Sequence, residues 1–223
     1  MIHLGRWQDT LDDVAVDSVI TDPPYGERVH TGARSTGNED GITYKAWTPS
    51  DVHEFVASWA PRTRRWIVAM TSHDLIPAWE GAYAKAKLYP FAPVPIIMSG
   101  MGVRQLGDGP ASWGIYLMVA RQRSREKMRA PSGALWRSLP GGYWGPANSG
   151  GHGRGKPEWL TGALVRDYSD AGDLVCDPFT GWGTTLTAAI GYGRRAIGSE
   201  VDAEAFAIAT KALAAPTQVE MYG

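Results

Sequence analysis

The stretch from Leu174 to Thr185 constrains this chain more than any other. A short apolar run, Leu174-Val175-Cys176, leads into Asp177-Pro178-Phe179-Thr180-Gly181-Trp182-Gly183-Thr184-Thr185, and helical spacing resumes at once after it. A strand that turns through glycines into a helix is half of a β-α-β unit. Such units require a mainly parallel sheet covered by helices on both faces. Glycines at 181 and 183 let backbone approach a ligand closely, and the helix start offers unpaired N–H groups.

The rest of the chain repeats the alternation. Strands are expected at Asp17–Thr21, Trp66–Met70, Pro93–Met98, Trp113–Ala120, Leu174–Cys176 and Arg195–Gly198. Helices are expected from a Ser50 cap through Trp59, over Leu75–Lys87, from Pro157 with Leu160, Leu164 and Val165 on one face, and over Thr185–Ile190 and Ala203–Leu213. Three stretches, 26–49, 100–112 and 129–155, carry no periodic signal and read as long functional loops. The whole, 1–223, reads as one α/β domain.

The details of the glycine loop narrow its ligand. A phosphate-binding loop needs Gly-Lys before the threonine, and no lysine stands there; a dinucleotide fingerprint wants glycine at 186, where Leu186 stands. Glu200 follows Gly183 by 17 residues, at the end of the next strand, where a carboxylate can accept both hydroxyls of a ribose. A ribose-containing cofactor without a pyrophosphate fits, and S-adenosylmethionine is such a molecule.

A second motif ends the first long strand: Asp22-Pro23-Pro24-Tyr25. The prolines fix the backbone, the carboxylate and a neighbouring carbonyl are acceptors, and the tyrosine is an aromatic plate. Together they suit a planar base bearing an exocyclic amine, whereas an Asp-Pro-Pro turn alone is more often a strand stop.

The two motifs in this order, with Gly155-Lys156-Pro157 ahead of the second, resemble the amino-group DNA methyltransferases, in the β-type arrangement that places the catalytic motif before the cofactor motif. The resemblance implies a circularly permuted, Rossmann-like S-adenosylmethionine-dependent methyltransferase fold, its largely parallel sheet carrying one antiparallel strand. It implies that Asp22, Pro23, Pro24 and Tyr25 act on the target base, which is flipped from the stack because its amine is otherwise out of reach. It implies a cofactor pocket of Asp177, Pro178, Phe179, Gly181, Gly183, Thr184, Thr185, Glu200, Lys156 and Pro157. Methyl transfer in that family is direct, so Cys176 is expected in the core. Asp22 points to N6 of adenine, since the cytosine-N4 enzymes of the family more often carry serine there; N4 of cytosine is the alternative, and an inactive DNA-binding module a more distant one. The chain departs from the family pattern where Arg6 follows Gly5, leaving Asp9 or Trp7 to meet the cofactor adenine, and at Trp182 in the glycine loop.

Charge supports a polyanionic partner. Between residues 100 and 156, nine Lys/Arg face only Asp108 and Glu126, a net of +7 within a chain of net −1. Arg121, Arg123, Arg125, Lys127, Arg129 and Arg137 form the densest part. If the fourth strand continued past 121, their alternate spacing would align them as a phosphate rail. Segment 121–155 is therefore the expected target-recognition insertion, with Trp136 and Trp144 as candidate stacking residues and 26–49 as the segment closing over the base. The expected partner is DNA, double-stranded in preference, with assembly open between monomer and homodimer.

A single cysteine excludes a disulfide framework, and the five histidines show no ligand spacing, so no metal site is expected. With no 18-residue apolar run and no signal-peptide layout at 1–10, the expectation is a cytoplasmic protein of a bacterial or phage-infected cell, without a membrane partner.

Overall fold

The computed structural model describes residues 1–27, 45–100, 114–123, 138–147 and 156–215. Nine strands among them form one sheet: β1 (Ile2–Leu4), β2 (Val16–Thr21), β3 (Thr63–Thr71), β4 (Tyr89–Pro90), β5 (Val94–Ser99), β6 (Ile115–Arg121), β7 (Tyr143–Pro146), β8 (Leu174–Asp177) and β9 (Arg195–Glu200). Their order is β1-β9-β8-β2-β3-β6-β5-β7, with β4 paired beside β5 on β6. β6 runs antiparallel to β3, β4 and β5, and all the other pairings are parallel. The expected architecture, a largely parallel sheet with one antiparallel strand, is the observed one.

Side-chain alternation divides the central strands between two cores. Val19, Ile67, Ala69, Met118, Ala120 and Cys176 face one side. There they meet α2 (Pro49–Trp59) through Val52, Phe55, Val56 and Trp59, and α3 (Ile76–Lys85) through Ala78, Trp79, Ala82 and Tyr83. Ile20, Val68, Met70, Leu117, Val119 and Val175 face the other. That side is covered by α4 (Glu158–Tyr168), with Leu160, Leu164 and Val165, and by α5 (Thr184–Gly191), with Leu186 and Ala189. A single turn, α1 (Trp7–Thr10), follows β1, and α6 (Ala203–Ala214) closes the described chain. Burial on both faces explains why these strands read as continuous apolar runs. Cys176 is fully buried, as expected, and burial pushes its thiol well above its ordinary value.

Local chemistry corrects several boundaries. Thr48, not Ser50, caps α2: its hydroxyl accepts from the Asp51 N–H while the Asp51 carboxylate accepts from the Thr48 N–H, and Pro49 takes the first helical position. The helix expected over Leu75–Lys87 starts with a 3₁₀ turn, His73–Leu75, and becomes α-helical at Ile76. Strands β1, β4 and β7 were not expected. β7 lies in a stretch read as loop because Tyr-Trp-Gly-Pro shows no alternation of its own, yet it pairs with β5 over four residues. The fourth strand stops at Arg121, so the rail expected from its continuation is absent up to Arg123. No helix among the described residues is long and apolar enough to cross a membrane.

The β8–α5–β9 unit is packed backbone against backbone. A Cβ built on Gly198 of β9 would stand 2.2 Å from Thr180 Oγ1 and 2.6 Å from the Asp177 carbonyl oxygen. Gly198→Ala should therefore destabilise the fold by about 1–3 kcal/mol, the usual cost of overpacking. Equilibrium urea unfolding checks this, and an unchanged midpoint would show that the turn yields freely.

Candidate active site

Parallel pairing brings the carboxyl ends of β2, β3, β8 and β9 to one edge of the sheet, where open α/β sheets bind ligands. β2 and β8 are direct neighbours, in register at Ser18–Val175 and Val19–Cys176. Their last residues are joined: Thr21 Oγ1 donates to Asp177 Oδ1 at 2.6 Å. The two motifs, about 150 residues apart in the chain, thus stand side by side.

Beyond β8 the glycine loop is tightly held. Asp177 Oδ1 also accepts from the Phe179 N–H at 3.1 Å, and Thr180 Oγ1 donates to the Asp177 carbonyl at 2.8 Å. Gly183 sits at φ +88°, where a side chain would be strained, and it opens α5. The Glu200 carboxylate accepts from the Gly181 N–H at 2.7 Å and from the Asp202 N–H at 2.8 Å. Oε2 is thereby tied to the loop and Oε1 to the start of α6, and each oxygen retains a second lone pair. A rigid acceptor beside glycines and a helix start suits a ribose-bearing cofactor.

The catalytic candidates form a compact polar group. Tyr25 OH donates to Asp22 Oδ1 at 2.7 Å. Lys156, just ahead of α4, puts its ammonium 2.5 Å from Asp22 Oδ2, 3.2 Å from Tyr25 OH and 5.4 Å from the Tyr25 ring centroid. Lys156, expected to line the cofactor pocket, contacts Asp22 and Tyr25. Its neighbour Pro157 is buried at the start of α4.

Two supports of the motif were missed. The Gly26 N–H donates to Ser72 Oγ at 3.0 Å, across from the end of β3. No side chain caps either helix that follows Thr71-Ser72-His73-Asp74; Thr71 accepts from Trp79 Nε1 and Ser72 holds the turn after Tyr25. A polar residue directly after an apolar strand was the available signal. Trp47 is the second support. Its N–H donates to the Tyr25 carbonyl at 3.0 Å, and its ring stacks on Trp79 and meets the edge of Phe179. Both ends of the segment expected to close over the base are thus pinned at the site, while 28–44 lie outside the described residues.

Other expectations fare differently. Trp7 packs in the core against Phe55 and Trp59, so it is not available to stack on a cofactor adenine, whereas Asp9 is exposed. Arg121 and Arg123 sit at the opposite edge, because β6 is antiparallel. Arg121 pairs with Trp66, five residues and roughly 17 Å before the end of β3. Its guanidinium lies over Trp66, Tyr89 and Phe91, and Arg123 Nε donates to the Leu88 carbonyl. These two arginines do not stand beside Asp22. Arg125, Lys127, Arg129, Arg137 and Trp136 lie outside the described residues; Trp144 is 73% exposed on β7. Among the described residues no His/Cys/Asp/Glu group could hold a metal.

Known proteins resemble this chain over part of its sequence and in its fold. Residues 116–211 match the family model described as DNA methylase. Over that span the chain is similar to the DNA methylase family. The matched span holds the glycine loop, Lys156 and Glu200, while the Asp22 motif precedes it. A curated relative, the type II methyltransferase M.MjaI of Methanocaldococcus jannaschii, is 50% identical over 46 residues, which is 21% of this chain and 15% of that protein. Among solved structures, the M1.HpyAVI–SAM complex superposes with a TM-score of 0.69 at 18% identity, over 96% of this chain and 98% of that one. The cytosine-N4-specific PvuII DNA methyltransferase superposes with a TM-score of 0.68 at 13% identity, over 97% and 87%. The fold is thus that of the S-adenosylmethionine-dependent DNA methyltransferases.

Asp177 gives the site a measurable pH signature. Burial, the largest cause, pushes its carboxyl up to about 6 from 3.8, against the hydrogen bonds from Thr21 and Phe179, which favour the charged form. The fold therefore favours the neutral acid. Stabilisation from this group is complete at low pH and is lost as pH rises from about 4 through about 6. Asp177→Asn retains an acceptor for Thr21 but cannot ionise. Its stability relative to the unsubstituted protein should improve by about 1–3 kcal/mol between pH 4 and pH 7.5. Urea titrations at three pH values check this, and a constant difference would mean that Asp177 does not titrate in that range.

Proposed function

We propose that this protein transfers a methyl group from S-adenosylmethionine to the N6 amine of an adenine flipped out of DNA. The observation that carries the reading is the junction of the two motifs through Thr21 and Asp177, which sets an amine-accepting group beside a cofactor loop. Bound in that loop, S-adenosylmethionine supplies an electrophilic sulfonium methyl. Glu200 accepts the ribose hydroxyls, and the backbone of Gly181 and Gly183 allows close approach. Asp177, Pro178, Phe179, Thr184 and Thr185 hold the loop in shape, with Pro157 at the start of the neighbouring helix. Asp22 and the Pro23 carbonyl accept the hydrogens of the target amine, concentrating electron density on its nitrogen; Pro24 fixes the turn and Tyr25 stacks on the base.

Adenine is favoured by the aspartate at 22. Cytosine N4 is the second reading, supported by the fold shared with a cytosine-N4-specific enzyme. Mass spectrometry of nucleosides from DNA methylated by the protein separates N6-methyladenine from N4-methylcytosine. Asp22→Ala should lower methyl transfer by more than tenfold, an effect above about 1.4 kcal/mol, while changing S-adenosylmethionine affinity by less than about threefold. Retention of most of the activity would reduce the motif to a strand stop. A protein whose melting temperature ignores S-adenosylmethionine would be an inactive module instead.

DNA docking is assigned to the basic segment between β6 and β7, on the strength of its net charge. Each phosphate neutralised contributes about 0.9 to the slope of log affinity against log salt. Lys127→Ala/Arg129→Ala should lower that slope by about two, and Arg121→Ala/Arg123→Ala, at the far edge, should leave it unchanged. The reverse outcome would move the docking face to the amino edge of the sheet.

A further inference from the structure

Lys156 makes three contacts whose combination has a second meaning. Its ammonium is 2.5 Å from Asp22 Oδ2, 3.2 Å from Tyr25 OH and 5.4 Å from the Tyr25 ring centroid. Under the proposed function, that carboxylate accepts the hydrogens of the target amine and that ring takes the base. A lysine nitrogen with hydrogens directed at Asp22, over Tyr25, therefore stands where the amine nitrogen of the base must stand. Each carboxylate oxygen of Asp22 already takes one strong donor, Tyr25 OH on Oδ1 and Lys156 on Oδ2. The Lys156 side chain is 26% exposed and hangs on a long flexible stem at the junction with α4, so it can swing out without disturbing the helix.

We propose that Lys156 is an internal stand-in for the target amine: it occupies the base subsite in the DNA-free protein and must be displaced by the flipped base before methyl transfer. The inference rests on the assignment of Asp22 and Tyr25 to the base. The ammonium suits this role because it has three hydrogens to donate and no lone pair. It satisfies a carboxylate that would otherwise face an open site, yet it cannot take the methyl group itself. The arriving base exchanges one hydrogen-bonded partner of Asp22 for another, so the exchange is nearly neutral and its cost is that of one partly exposed ion pair.

Two measurements test this. The first needs no methylation. Acetic anhydride labelling of the intact protein, read by mass spectrometry, reports how free each lysine is. Millimolar adenosine or cytidine should speed labelling of Lys156 at least threefold and leave the exposed Lys85 and Lys211 unchanged; unchanged labelling of Lys156 with both nucleosides would overturn the proposal. The second is kinetic, with tritiated S-adenosylmethionine and unmethylated genomic DNA. Lys156→Met removes the occupant while keeping its bulk, and kcat/KM for DNA should rise about two- to fivefold, the range an exposed ion pair supplies. A value equal to or below that of the unsubstituted protein would instead make Lys156 a fixed partner of Asp22. If the unsubstituted protein methylates neither adenine nor cytosine, the proposed function fails, and the labelling result still decides whether Lys156 yields to a nucleoside.

Discussion

The parallel pairing of β2 with β8 is the contact on which the rest of the site depends. Parallel strands share one direction, so the residues following each strand must emerge at the same edge. Asp17 Oδ2 accepts from the Leu174 N–H at the amino end of the pair, and Thr21 donates to Asp177 at the carboxyl end. The pair is thus tied at both ends by side chains as well as by its ladder. A slip of one residue would break both ties and send each strand's core residues to the wrong face.

The two cores are unequal in chemistry. The face under α2 and α3 is built from aromatics: Trp7, Phe55, Trp59, Trp79 and Tyr83 are buried there, with Trp47 and Phe179 at its margin. Phe179 belongs to the glycine loop and Trp47 binds the carbonyl of Tyr25, so both motifs are anchored in one aromatic cluster. Rigid rings with edge-to-face contacts resist rearrangement better than flexible aliphatic chains do. The opposite face, under α4 and α5, is mainly aliphatic, with Tyr143 and Tyr168 buried in it, and Lys156 stands just ahead of α4.

Much of this was legible along the chain. The glycine loop, the acid one strand later and the Asp-Pro-Pro-Tyr turn have local signatures, because each depends on residues adjacent in sequence. The strands were legible wherever both faces are buried, since apolar runs bounded by glycine and proline are local too. Strand β7 was not, because Tyr143–Pro146 becomes a strand only by pairing with β5. Ser72 and Trp47 were missed for the same reason: their roles are single hydrogen bonds to a motif distant in sequence.

By itself, then, the sequence determined that the chain alternates strands with helices, and it singled out the glycine loop, the acid one strand later and the Asp-Pro-Pro-Tyr turn as chemically distinctive segments. These are properties of short segments, set by backbone freedom, periodicity and side-chain chemistry within a few residues. The tertiary structure alone decided who meets whom. It put Lys156 on Asp22, buried Trp7, and carried Arg121 and Arg123 to the far edge because β6 runs against its neighbours. Strand direction and long-range pairing are collective outcomes of packing, and no local pattern encodes them.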